Sequence, residues 1–284
     1  MDQLLFRFYF FVFIITPFFS FGQKQIISGY VVDKNKTPLS YVNIVSVQNK
    51  IGTTTNELGY YSIKLDISDS IKFTHIAFSS KVVPVIELIQ DNVVVLDEEH
   101  FFIDEIVIRS RFGYKQKEKL GYYGKDRNGS FVLSPGNQLA VFISNTKRRL
   151  ALIESVSFQV KDKGKCNSKI RIRILEKETN NFSPGKDLLV ENYIIDNKQL
   201  SHRNTINISE SNIFLPEKGA FIVIEWVGVD SYCEDNSFPI IAANISTKEN
   251  HLWYNYRDKQ WSRAPRPVFQ DNYMTPNVSI TVYY

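Results

Sequence analysis

The chain has 284 residues, is 43% hydrophobic, and carries a net charge of +4 at neutral pH. That length allows two ordinary domains or one large β domain, either with a substantial core. The basic excess is concentrated at Arg109, Arg111, Lys115, Lys117, Lys119, Lys125 and Arg127, set against Glu118 and Asp126. Such a run reads as a solvated connector rather than a nucleic-acid surface, and no nucleic-acid partner is expected.

The first residues read as a signal peptide, residues 1–22. Arg7 precedes a mostly apolar run from Phe8 to Phe21, broken by Pro17, and small residues follow at Ser20 and Gly22. The alternative is a membrane anchor, but the run is short for a span of about 20 residues. No later stretch reaches that length, so no transmembrane span is expected in the mature chain. Cleavage near Gly22 places the protein outside the cytoplasm, in the periplasm or at the outer membrane or cell surface.

The next segment, residues 23–108, is read as a small β-sandwich. Ile26 to Asp33 alternates and ends in a polar turn before Pro38, and Leu39 to Val47 alternates again. Gly52 to Ile63 reads as a hairpin: three threonines favour an extended backbone, Asn56 and Gly59 bracket a reversal, and Tyr61 and Ile63 share a face. Ser70–Phe78, Lys81–Val85 and Asn92–Leu96 supply further strands. Short strands with turn signals between them and no helical periodicity predict an antiparallel sandwich.

This succession resembles the carboxypeptidase-regulatory-like domain. The residues that carry the likeness are Ile27, Gly29, Val31 and Asp33; then Pro38, Leu39, Val42 and Ile44; then Gly52, Thr53, Thr55, Asn56, Gly59, Tyr61 and Ile63; then the strand Ile71 to Phe78. The resemblance covers about residues 26–97. It implies a seven-stranded transthyretin-like β-sandwich of the kind common in exported and outer-membrane proteins of the Bacteroidetes. Thr37 stands where the family commonly has Gly, and Asn56 where it has Asp; both keep turn chemistry. Phe102 to Ile108 is similar to the segment after this domain in TonB-dependent receptors, but too few residues follow for their barrel. The family name implies no peptidase: His75, His100, His202 and His251 form no ligand-spaced zinc motif, and no cofactor is expected.

After a basic linker, residues 109–129, strands resume in 130–284: Leu139–Ile143, Ile153–Val160, Lys169–Leu175, Asp187–Ile195, Thr205–Ile208, Gly219–Val227 and Asn277–Tyr284. In Lys169–Leu175, Ile occupies one face and Lys or Arg the other. The fold class expected for the whole is therefore all-β, the first sandwich being followed by a larger jelly-roll-like β-sandwich.

Candidate ligand-binding residues gather at His251 to Arg263: Trp253, Tyr254, Tyr256, Trp261 and Arg263, in a hairpin with Arg257, Asp258 and Lys259 near its tip. Aromatic faces beside planar polar groups suit a glycan, while the commoner use of such tryptophans is as a cross-strand pair packed over the core. The two cysteines, Cys166 and Cys233, admit a disulfide in an oxidising compartment or two buried thiols. Glu234 and Asp235, with Glu225, could in principle form an acid–base pair, but adjacent acids after a strand read as solvated, and no hydrolase pair is expected. No nucleophile elbow, P-loop or dinucleotide motif occurs. The sequence is thus read as a non-enzymatic exported binding protein of the cell envelope, its partner a glycan or an envelope protein. The alternatives are a glycan-binding module built on the aromatic hairpin and a hydrolase with dispersed acids.

Overall fold

The protein is described by a computed structural model covering residues 24–48, 51–99, 116–124, 128–132, 136–165, 168–189, 191–229, 237–246, 251–256, 260–264 and 272–284. The signal segment, the receptor-like element at 102–108, both cysteines, Glu234, Asp235 and the tip of the aromatic hairpin lie outside these residues.

The first domain contains β1 (Gln25–Val32), β2 (Asn43–Ser46), β3 (Gly52–Thr54), β4 (Tyr60–Leu65), β5 (Ser70–His75), β6 (Phe78–Pro84), α1 (Val85–Gln90) and β7 (Val93–Val95). A three-stranded sheet, β4-β1-β7, faces a four-stranded sheet, β3-β2-β5-β6. Between them lie Val31, Ile44, Tyr61, Ile63, Leu65, Ile71 and Phe73, all buried. The seven strands match the sequence expectation, with three corrections. Gly52 to Ile63 is no hairpin, because β3 pairs with β2 while β4 pairs with β1 in the opposite sheet. The turn crosses the sandwich instead: Asn56 Oδ1 accepts the N–H groups of Leu58 and Tyr60, and Gly59 sits at φ +72°. Sequence spacing registers a reversal but does not say which sheet receives the second arm. Second, β1 and β7 run parallel. Third, α1 is helical despite its apolar, strand-like composition, burying Val85 and Leu88 against the core as it crosses from one sheet to the other.

The second domain contains β8 (Lys117–Gly121), β9 (Gly129–Val132), β10 (Asn137–Ser144), β11 (Ala151–Asp162), β12 (Ser168–Lys177), β13 (Pro184–Asp187), β14 (Tyr193–Asp196), β15 (Arg203–Asn207), β16 (Phe214–Leu215), β17 (Gly219–Val229), β18 (Ile240–Ser246), β19 (Leu252–Tyr256), β20 (Ser262–Arg263), β21 (Tyr273–Pro276) and β22 (Val278–Tyr283). A seven-stranded sheet follows the order β13-β12-β17-β10-β19-β20, with β14 also on β12. An eight-stranded sheet follows β21-β18-β11-β22-β8, with β15 and β16 on β11 and β9 on β18. Alternate residues of the long strands meet in one core: Val141, Ile172, Ile174, Ile222, Ile224 and Trp226 from one sheet, and Ile153, Val156, Phe158 and Ile280 from the other.

The basic linker is shorter than the sequence suggests, since β8 falls inside it and pairs with β22. Leu120 is its one buried apolar side chain, while Lys117 and Lys119 face outward, as suits an edge strand that must not recruit another chain. The run read as one strand over Asp187–Ile195 is two, β13 and β14, separated by a loop. No helix among the described residues is long and apolar enough to cross a membrane.

Candidate functional site at the domain junction

The outer face of the seven-stranded sheet carries Lys169, Arg171 and Arg173 on β12, Glu225 on β17 and Gln138 on β10. Register sets Arg171 opposite Glu225 and Glu225 opposite Gln138. Alternation predicts that this charged face meets water. It does not: Arg171 is 1% exposed and Glu225 is fully buried, because the first domain sits on them.

Arg171 Nε donates to Glu225 Oε2 at 2.8 Å, and Asn43 Nδ2, reaching across from β2, donates to Oε1 at 2.7 Å. Gln138 Nε2 donates to the same Oε1 at 3.1 Å. Arg173 stands 3.7 Å from Oε2 and forms a two-pronged pair with Asp187, at 3.0 and 2.6 Å. Burial alone would push the Glu225 pKa up; the two guanidiniums outweigh it, with the donors from Arg171 and Asn43 adding to their effect, and hold it at about 2. The carboxylate is therefore charged, and both oxygens accept bonds from neighbouring side chains. Glu225, an acid inside the apolar run of β17, can be buried because the basic face of β12 lies beside it.

Tyr41 makes the second half of the junction. Its backbone is left-handed, φ 58°, a costly conformation for a bulky residue. That turn brings its carbonyl to accept from Arg171 Nη1 at 3.2 Å and its hydroxyl to accept from Lys169 Nζ at 2.7 Å, and Lys169 also reaches Glu57 at 3.3 Å. Lys169 and Tyr41 together pull the Glu57 carboxyl below its ordinary range. A cleft of about 240 Å³ opens beside the junction, lined by His75, Phe78, Glu99, Arg173, Lys186 and Asp187 among others. Burial, with Arg171 next, lowers the His75 pKa to about 4, so the ring is neutral at neutral pH; Asn192 Nδ2 lies 3.2 Å from its Nε2.

The aromatic hairpin borders this face on its other side. β19 lies against β10 and β20 against β19, with Trp253 opposite Arg263 and Tyr254 opposite Ser262. Trp253 and Trp261 share the outer face and pack on a cluster of Ala140, Phe142, Leu175, Phe221 and Val223. The indole N–H of Trp253 is turned inward, away from solvent. Tyr254 is 42% exposed and belongs to the opposite side of β19, and Arg263 is exposed. The fold thus brings Trp253 and Trp261 together and leaves Tyr254 apart; of Tyr256, the backbone pairing with Asn137 is what the structure describes.

The sandwich of three- and four-stranded sheets, its crossing turn at Asn56–Gly59 and the buried Tyr61 agree with a comparison against known families: residues 27–108 match the CarboxypepD_reg-like domain. The first domain belongs to that family. No family model matches the second domain, and no curated protein matches the chain. The residues that seat the CarboxypepD_reg-like domain on its neighbour, Tyr41, Asn43 and His75, belong to no catalytic or metal-binding motif in the sequence. The available signal was the strict Lys169, Arg171, Arg173 alternation beside an acid, Glu225, within an apolar strand.

Proposed function

We propose that this is a non-enzymatic, exported binding protein of the cell envelope, in which the CarboxypepD_reg-like domain is a fixed cap and the second sandwich carries the binding surface. The buried Arg171–Glu225–Asn43 junction carries this reading. It ties the two domains through side chains, so the cap covers the charged part of one outer face of the second sandwich, and among the described residues the cap makes none of these contacts with the outer face of the eight-stranded sheet. Glu225, held ionised at about pH 2 and up with its oxygens already bonded, is suited to structure and not to proton transfer. Export is supported by the composition of residues 1–22.

The purified mature protein is expected to release no product from peptide or glycan libraries while being retained by components of the envelope. Turnover that disappears on mutating one residue would overturn the reading. N-terminal sequencing of protein recovered outside the cytoplasm checks export, with a new terminus expected close to Gly22.

A further inference from the structure

The outer face of the eight-stranded sheet is not an ordinary solvated face. Across its middle, register aligns Thr205 on β15, Ser157 on β11, Ser279 on β22 and Gly121 on β8 in one row. A second row holds Arg203, Gln159 and Asn277. A face that merely meets water usually carries long charged chains; here short hydroxyls and amides form a floor. Ser279 and Asn277 are each 2% exposed, because Tyr122, Tyr123 and Gly124 rise along one side and Arg203 along the other. The result is a groove of about 260 Å³.

Its parts are held before any ligand arrives. Asn277 Nδ2 donates to Gln159 Oε1 at 3.1 Å, Gln159 Nε2 donates to the Gly124 carbonyl at 3.4 Å, and the hydroxyls of Ser157 and Thr205 bond at 2.9 Å. The floor is thereby tied to the tyrosine wall, so ordering costs little on binding. Tyr123 is 55% exposed, with Lys119 Nζ 4.9 Å from its ring centre. Lys119 and Arg203 line the groove from opposite sides, and no carboxylate stands among its described lining residues.

We propose that this groove binds a short acidic oligosaccharide. Hydroxyls and amides on the floor match sugar hydroxyls, the exposed tyrosine face takes the C–H side of a pyranose ring, and the two cations take a carboxylate or sulfate. The inference rests on the reading of this chain as a binding protein and moves the glycan surface from the Trp253–Trp261 hairpin to the opposite sheet.

Titration calorimetry on the full mature protein, with trigalacturonate, a sulfated disaccharide and neutral maltotriose as probes, tests it. At least one acidic probe should bind, at least tenfold tighter than maltotriose. Arg203→Gln and Lys119→Gln should each weaken it about fivefold or more, and Tyr123→Ala similarly, with unchanged thermal melts showing that the fold is intact. Trp253→Phe should leave binding unaltered. Which acidic probe binds separates uronate from sulfate recognition. Failure of both acidic probes to bind, or binding indifferent to all three groove variants, overturns the groove. Maltotriose binding that is lost in Trp253→Phe would overturn it while sparing the binding-protein reading, and release of reducing ends from any probe would overturn that broader reading instead.

Discussion

Arg171 Nε donates to Glu225 Oε2 at 2.8 Å on a sheet face where the first domain buries both residues. Removing one partner leaves a buried charge without its counter-charge, at a cost of about 3–5 kcal/mol. Arg171→Met should lower stability by that order in urea unfolding. Adding Glu225→Gln, which keeps acceptor and donor groups for Asn43 and Gln138 without the charge, should restore a large part of the loss. Equal stability of the single and double variants would show that the pair is not what binds the domains.

Acid should loosen the junction in two steps. His75 has a folded pKa of about 4 against an ordinary 6.5, so the unfolded chain binds more protons between those values and stability falls as pH drops through that window, by about 3 kcal/mol in full. Glu225, lowered from 4.5 to about 2, adds stability that is complete above pH 4.5 and is lost as pH falls toward 2. Thermal melts from pH 7 to 3 should show both, and His75→Gln should flatten the slope between pH 6.5 and 4 while leaving the acid limb. A slope unchanged in that variant would assign the upper step elsewhere.

The crossing turn in the CarboxypepD_reg-like domain depends on Gly59. At φ +72° a side chain is strained, and a Cβ there would lie 2.6 Å from the Val31 carbonyl. Gly59→Ala should cost more than about 1 kcal/mol, and Asn56→Ala, which strips the acceptor for two backbone N–H groups, about 1–2 kcal/mol. Hydrogen exchange should localise both losses to β1 and β4, sparing β10 and β17.

Trp253 and Trp261 cover Phe142 and Phe221. Replacing either with Ala should cost about 2–3 kcal/mol from lost burial. A melt shifted by less than about 1 °C, together with loss of a glycan from an array, would return the hairpin to the role of ligand site.

Lys165 N–H donates to the Ser237 carbonyl at 2.9 Å, and Ser168 faces Val229. This bond and this strand pairing bring together the flanks of the two segments that contain Cys166 and Cys233. Exported protein is therefore expected to react with no thiol reagent until reduced, read as a mass increase of two labels after reduction. Two labels without reduction would mean free thiols.

Strand content and the position of the first domain were legible because alternation and turn chemistry are local. Ile170, Ile172 and Ile174 point inward as their spacing predicts, and Asn56 and Gly59 do make a turn. The hairpin expected at Gly52–Ile63 failed where local signals end: whether two adjacent strands pair with each other or with different sheets depends on partners distant in the chain. The charged side of β12 failed for the same reason. Lys169, Arg171 and Arg173 carry the pattern of a water-facing row, and a period of two residues separates two faces without saying what covers either.

By itself, then, the sequence determined an all-β chain, a CarboxypepD_reg-like segment at its start and the inward residues of the strands, all consequences of spacing along a single strand. The tertiary structure alone decided that Arg171 and Glu225 are buried, that Tyr41 and Asn43 fasten one domain to the other, and that Ser157, Ser279 and Thr205 line a groove. These are relations between residues far apart in the chain, and their energy comes from water excluded when two sheets or two domains meet. No period in the sequence records that event.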